Sequence, residues 1–280
     1  MEVICNSNLL NWLNKAYAFI QKDFRIAVSY KLQFIFQFAQ VFFGVTMIYF
    51  LGKLLDTAGE SSLLNDLGGN YFSFALVGIS INSYTRAGLV TITNEIRQVM
   101  NQGTLEAMCA TPVSFINIIL FSSLFQFLFE SFRVFCYFLI AIFIFKMKMN
   151  NANWSLAILT LALTAPIFLM LGMTSCSILI LVKRGDPVNW LFSNLAAILA
   201  GTMFPIAVLP IWLQKISYCL PLTHSLIAAR KAFLGDAKFA EIYPNLLALI
   251  IFLIILMPVT FLINKLCMKH AKKKGALSTH

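Results

Sequence analysis

Between Trp154 and Val182 the chain carries no charged residue. At about 1.5 Å per residue, a helix over that stretch is longer than the roughly 30 Å hydrocarbon core of a bilayer. Five more apolar stretches read the same way: Leu32 to Leu51, Tyr71 to Val90, Val113 to Phe145, Val188 to Pro205 and Pro244 to Ile263. The expected fold is therefore all-α, a polytopic membrane protein with six transmembrane helices. Composition agrees, because 60% of the residues are hydrophobic and only 11% are charged, against about 25% charged in a soluble domain. The whole of residues 1–280 reads as one transmembrane domain.

Two of these stretches are unusual. Tyr71 to Val90 contains Gly78, Ser80, Asn82, Ser83 and Gly88, with Arg86 near its inner end. Small residues permit close helix contact and polar ones need partners away from lipid, so this span is expected to face protein. Val113 to Phe145 would measure roughly 50 Å as one helix and must tilt, bend or protrude. Its phenylalanines, from Phe115 to Phe145, suit either a hydrophobic substrate route or lipid-facing bulk. Pro166 and Gly172 are expected to kink the fourth span, and Pro205 and Pro210 to end the fifth.

Charge sets the topology. Of the 21 Lys and Arg residues, thirteen fall in segments assigned to the inner face, seven in outer segments, and Arg133 lies inside a span. Excess Lys and Arg mark the cytoplasmic side, which places both termini there. Lys146 and Lys148 oppose the rule locally. The formal charge of +10 does not mark a nucleic-acid partner, because the cations are scattered over short loops and a tail rather than one basic domain. Lys265, Lys269, Lys272, Lys273 and Lys274 instead suit the anionic inner leaflet, making membrane lipids a partner. Residues 1 to 32 carry charges throughout and lack a compact apolar stretch before a small-residue site, so no cleavable leader is expected. Residues 7 to 31 have helical apolar spacing at Leu9, Leu13, Ala16, Tyr17, Ile20, Phe24 and Ala27. They read either as a helix lying in the interface plane or as a basic lead-in to the first span.

Two polar segments interrupt the apolar pattern. The first is Thr93 to Pro112, whose apolar Ile96, Val99, Met100, Leu105 and Met108 alternate with polar residues as on a short amphipathic helix interrupted once, at Gly103. Thr104 and Glu106 supply a capping hydroxyl and an acid at a new helix start, and Pro112 suits the first position of the next helix. A short helix across the end of two spans is a shape on which another protein can push. The second segment, residues 207 to 243, is too broken to span and too apolar for an ordinary loop. It reads as two short re-entrant helices, Pro210 to Cys219 and Leu222 to Leu234, packed on protein at the outer mouth, or as an amphipathic surface loop on the headgroups.

Gly103-Thr104-Leu105-Glu106 with Thr111-Pro112 resembles the "GTLE…TP" segment of type 2 ABC exporter permeases, the group that includes daunorubicin-type and Nod-factor exporters. Phe204-Pro205, Leu209-Pro210-Ile211-Trp212, Pro221-Leu222-Thr223, Arg230 and Gly235 resemble that family's late signature, "FP…LP.W…PLT…R…G". The resemblance implies a permease subunit, two copies with two copies of a separate ABC ATPase, exporting an amphipathic, drug-like or lipid-linked compound across a bacterial inner membrane. It implies that residues 94–112 couple to the ATPase, through Glu95, Arg97, Gly103, Thr104, Leu105 and Glu106. It further implies a re-entrant gate carrying Pro205, Pro210, Trp212, Pro221, Thr223 and Arg230.

The chain contains no G-x-x-x-x-G-K-[ST] loop, so ATP and Mg are expected on the partner subunit and no cofactor on this chain. No Cys-x-x-Cys pair occurs, and His224, His270 and His280 are not at ligand spacing, so no metal is expected either. An intramembrane enzyme lacks its usual groups, since the spans hold no His and a single acid, Glu130. The competing reading is a proton-coupled secondary transporter with Glu130 as carrier, which would favour an internal repeat that the halves do not display. Glu130 and Arg133 lie three residues apart on one helix face, where either alone would cost roughly 2.5–3.5 kcal/mol at mid-membrane. They form either a mutually neutralising structural pair or part of the translocation path.

Overall fold

The computed structural model describes residues 2–57, 70–103, 115–147, 152–182, 186–235 and 238–273, and all regular structure among them is helical. In chain order these are α1 (Glu2–Ser29), α2 (Lys31–Thr57), α3 (Tyr71–Arg86), α4 (Ile92–Asn101), α5 (Phe115–Phe143), α6 (Trp154–Val182), α7 (Pro187–Leu199), α8 (Ile211–Tyr218), α9 (Pro221–Leu234) and α10 (Phe239–Lys273). Among the described residues, four helices can cross a membrane by length and composition: Ile35–Thr57, Asn117–Phe143, Trp154–Val182 and Phe239–Cys267.

The expected second and fifth spans correspond to α3 and α7, and neither is a long apolar rod. α3 is buried almost all round, from Tyr71 through Ser73, Phe74, Leu76 and Val77 to Thr85. A helix wrapped by protein does not need a lipid-compatible surface, which explains its serines and asparagine. α7 ends sooner than its prolines predict. Gly201 adopts φ +73°, and Gly201 N donates to Ile198 O at 3.1 Å while Thr202 N donates to Ala197 O at 3.3 Å. This pair of bonds closes the helix in a Schellman turn, with glycine supplying the left-handed residue. α10 in turn begins ahead of Pro244 and keeps both Pro244 and Pro258 inside it.

α6 is the central post. It packs against α10, α9 and α4, and against a π-helical turn, Ala87–Thr91, that joins α3 to α4. At that turn a Cβ added to Gly172 would stand 1.9 Å from the Gly88 carbonyl oxygen, and one added to Gly88 would stand 2.6 Å from the Phe168 carbonyl carbon. The two backbones touch because neither residue has a side chain. Hydroxyl contacts fasten the same post: Thr164 Oγ donates to Ser225 Oγ of α9 at 2.9 Å, and Thr174 Oγ lies 3.0 Å from Thr260 Oγ of α10. Phe168, Leu76, Val77, Leu222, Leu226, Ala229 and Leu249 form the adjoining core. The α5 phenylalanines divide, with Phe121 and Phe138 buried and Phe132, Phe135 and Phe143 exposed, so they line no single route.

Candidate functional site

Three places carry the residues singled out by sequence. At the first, the amphipathic helix α4 buries Ile92, Thr93, Ile96 and Met100 against Met173, Cys176, Leu179 and Ile180 at the far end of α6. It does not start afresh at Thr93, because the backbone stays helical from α3 through the π turn. With no proline or positive-φ residue between Tyr71 and Asn101, nothing breaks the run. Glu95 and Arg97 part company. Gln126 Nε2 of α5 donates to Glu95 Oε1 at 3.5 Å, and Glu95 lines a cavity of about 770 Å³ between α1, α4 and α5, whereas Arg97 is exposed. Gly103 ends the helix at φ +67°, a conformation that disfavours any side chain. Thr104, Leu105 and Glu106 lie outside the described residues.

α4 is also tied to α7. Asn189 Nδ2 donates to Thr93 Oγ at 3.3 Å, and Asp186 caps α7 by accepting from Asn189 N at 3.0 Å and from the Ser175 hydroxyl of α6. The buried face of α4 is thus bonded through Thr93 to Asn189 of α7, and α7 through Asp186 to Ser175 of α6.

The second place surrounds Glu130 and Arg133. Arg133 Nη1 donates to Glu130 Oε1 at 2.6 Å, and the Arg133 guanidinium lies 5.5 Å from the centre of the Phe129 ring. The pair lines a cavity of about 430 Å³ whose walls are α2, α3 and α5 and whose other members include Gln37, Gln40, Asn82, Arg86 and Tyr137. Sequence reasoning found the pair but missed this company. The available signal was the amides and Arg86 within otherwise apolar spans, which periodicity alone does not bring together.

The third place is the α7–α9 region. Arg230 is buried, its Nη2 donates to both Gly201 O and Thr202 O at 2.8 Å, and its guanidinium lies 3.5 Å from the centre of the Phe74 ring of α3. Gly78 completes the enclosure, since a Cβ there would stand 2.0 Å from Thr202 O. Thr223 Oγ donates to Ser217 O at 2.6 Å, and Ser217 Oγ donates to Leu199 O at 2.8 Å, linking α9, α8 and the end of α7. Pro221 is buried at the first turn of α9. Trp212 is exposed, as is Pro210, while Pro205 is half-buried. The expected gate residues therefore split into an inner clamp of Arg230, Thr223 and Pro221 and an outward face with Trp212 and Pro210.

Residues 16–234 match the family model described as ABC-2 type transporter. A comparison with curated proteins finds no match.

Proposed function

The chain belongs to the ABC-2 type transporter family, and from that premise we propose that it is the permease subunit of an ATP-driven exporter. Two copies pair with two ATPase subunits that bind ATP and Mg, and the assembly moves an amphipathic, drug-like or lipid-linked compound out of a bacterial cytoplasmic membrane. On this reading α3 and α7 complete six crossings, α8 and α9 are re-entrant at the outer side, α1 lies at the inner interface, and both termini are cytoplasmic.

The observation that carries the reading is the construction of α4. Its apolar face is anchored on α6, its exposed face offers Asn94, Arg97 and Gln98, and Thr93 bonds to Asn189 of α7. A push on that exposed face is transmitted to α3, α6 and α7 together, which is what an ATPase acting on a permease requires. Gly103 then sets the direction in which the chain leaves the helix.

Reconstitution with the cognate ATPase in proteoliposomes tests this. Export should require ATP. Glu106→Ala and Gly103→Val should insert as wild type yet lose export: the first removes an acid proposed to contact the ATPase, and the second puts a β-branched residue at positive φ, which costs about 1–2 kcal/mol and redirects the segment. Full export by both variants would refute the coupling role. Export driven by a proton gradient without the ATPase would instead support a secondary transporter using Glu130.

A further inference from the structure

The cavity between α2, α3 and α5 contains more charge and more hydrogen-bonding capacity than its own residues consume. The Glu130–Arg133 pair is neutral, but Arg86 of α3 also lines the cavity; it stands in the field of Glu130 without a direct ion pair among the described residues, so two guanidinium groups share one carboxylate. Glu130 is only 9% exposed, yet its Oε2 accepts no hydrogen bond, and neither does Asn82 Oδ1. The Ser83 hydroxyl lies within reach of Glu130, but its one proton is directed to Ser80 O at 2.8 Å. A surplus guanidinium and two unsatisfied acceptors inside a membrane protein are each costly. All three are relieved by a guest that brings a negative group together with a hydroxyl or amine donor. About 430 Å³ holds such a group with several waters, each of which occupies about 30 Å³ in the liquid.

The surroundings say what the rest of the guest must be. Gln37 and Arg133 are shared with an adjoining cleft between α2 and α5, lined by Phe38, Val41, Phe132 and Cys136. Phe38 and Phe132 are partly exposed, with ring centres 6.1 Å apart. A polar chamber thus abuts an aromatic cleft on the outside of the helix bundle.

We infer that this cavity is a binding site for an anionic amphiphile, its phosphate or carboxylate on Arg86 and Arg133, its hydroxyl or amine on Glu130 and Asn82, and its chain along Phe38 and Phe132. The inference deepens the export reading and rests on it only in taking the guest as cargo; binding itself needs neither ATP nor the ATPase. Guanidinium contacts to phosphate are charge-assisted and among the strongest hydrogen bonds available to a side chain. Such a guest reaches the cavity sideways from the bilayer.

The test is native mass spectrometry of the full chain in dodecyl maltoside, a neutral detergent, titrated with dodecyl phosphate, dodecyl trimethylammonium, dodecanol and inorganic phosphate. Dodecyl phosphate should bind at least about tenfold tighter than the cationic or neutral chains, as one charge-assisted contact implies. Inorganic phosphate at equal concentration should not displace it. Arg86→Gln should weaken dodecyl phosphate by about tenfold, and Arg86→Lys should restore most of the loss. Equal binding of all three chains overturns the inference, as does displacement by inorganic phosphate, which would assign the charge to a soluble anion. Wild-type affinity in Arg86→Gln overturns it too. Should Arg86→Gln fail to fold, the wild-type comparison of headgroups decides. Because no step uses ATP, a negative result here leaves the export assay to stand or fall alone.

Discussion

Arg230 and Arg133 are both arginines placed among apolar helices, and their settings are opposite. Arg230 is enclosed: two backbone carbonyls, an aromatic face and the absent side chain of Gly78 are fitted around it. Arg133 has one carboxylate, the more distant Phe129 ring and an open chamber, with a second arginine and unsatisfied acceptors nearby. The first arrangement spends its guanidinium on joining α9 to the end of α7 and has no room for a guest. The second keeps capacity in reserve. A cation walled in by carbonyls, a ring and close backbone is a fastener even with its Nε left unpartnered, and one that faces an open cavity is available for binding.

The largest effect that would break this contrast is at Arg230. Arg230→Met should leave Gly201 O and Thr202 O without their donor and forfeit the ring contact, costing about 3 kcal/mol or more. The expected readout is loss of monodisperse protein in detergent or a sharply lowered unfolding temperature. A well-folded Arg230→Met that fails only in transport would show that Arg230 also belongs to the machinery, and the contrast would collapse.

How far the sequence exposed these two settings depends on the range of the interactions. The burial of α3 was legible, because Gly78, Ser80, Asn82 and Ser83 cannot face lipid in number. The stripe of Ile96, Val99 and Met100 on α4 was legible for the same reason of local spacing, and so was the Gly103 turn. The Arg230 clamp was not. Its acceptors are main-chain carbonyls of Gly201 and Thr202, which leave no mark in side-chain pattern, and the charge count places Arg230 simply among the seven cations of the outer segments. The end of α7 was misplaced because prolines announce a stop loudly, while Gly201, several residues earlier, already provides one. The π turn at Ala87–Thr91 falls where Gly88 meets Phe168 and Gly172, a long-range contact without a local signature.

A smaller effect sharpens the other side of the comparison. Glu130→Gln removes the charge that neutralises Arg133 and should lower the yield of folded protein, on the scale of the roughly 2.5–3.5 kcal/mol that a lone cation costs at mid-membrane. Combining Glu130→Gln with Arg133→Met should restore the yield in either case. ATP-driven export by the restored variant then separates the roles. Normal export would make the pair a fastener like Arg230, whereas a folded variant that hydrolyses ATP with its partner and exports nothing would place the pair on the route.

The last prediction changes no stability and asks only on which side of the membrane the enclosed arginine lies. Cys219 follows α8 and is exposed, whereas Cys176 and Cys267 are buried. An impermeant maleimide applied to intact cells should therefore label Cys219 if α8 and α9 sit at the outer side, as proposed from the distribution of Lys and Arg. Cys267, on α10, should stay unlabelled from outside, and because it is buried it should react slowly even in opened membranes. The control is a variant with Cys219→Ser, in which external labelling should vanish. Labelling of Cys219 only after the membrane is opened would put the Arg230 clamp and the exposed face of α4 on the same side. A clamp beside the ATPase would then be a fastener on the driven end of the protein, and the division between a fixed outer end and a pushed inner end would have to be abandoned.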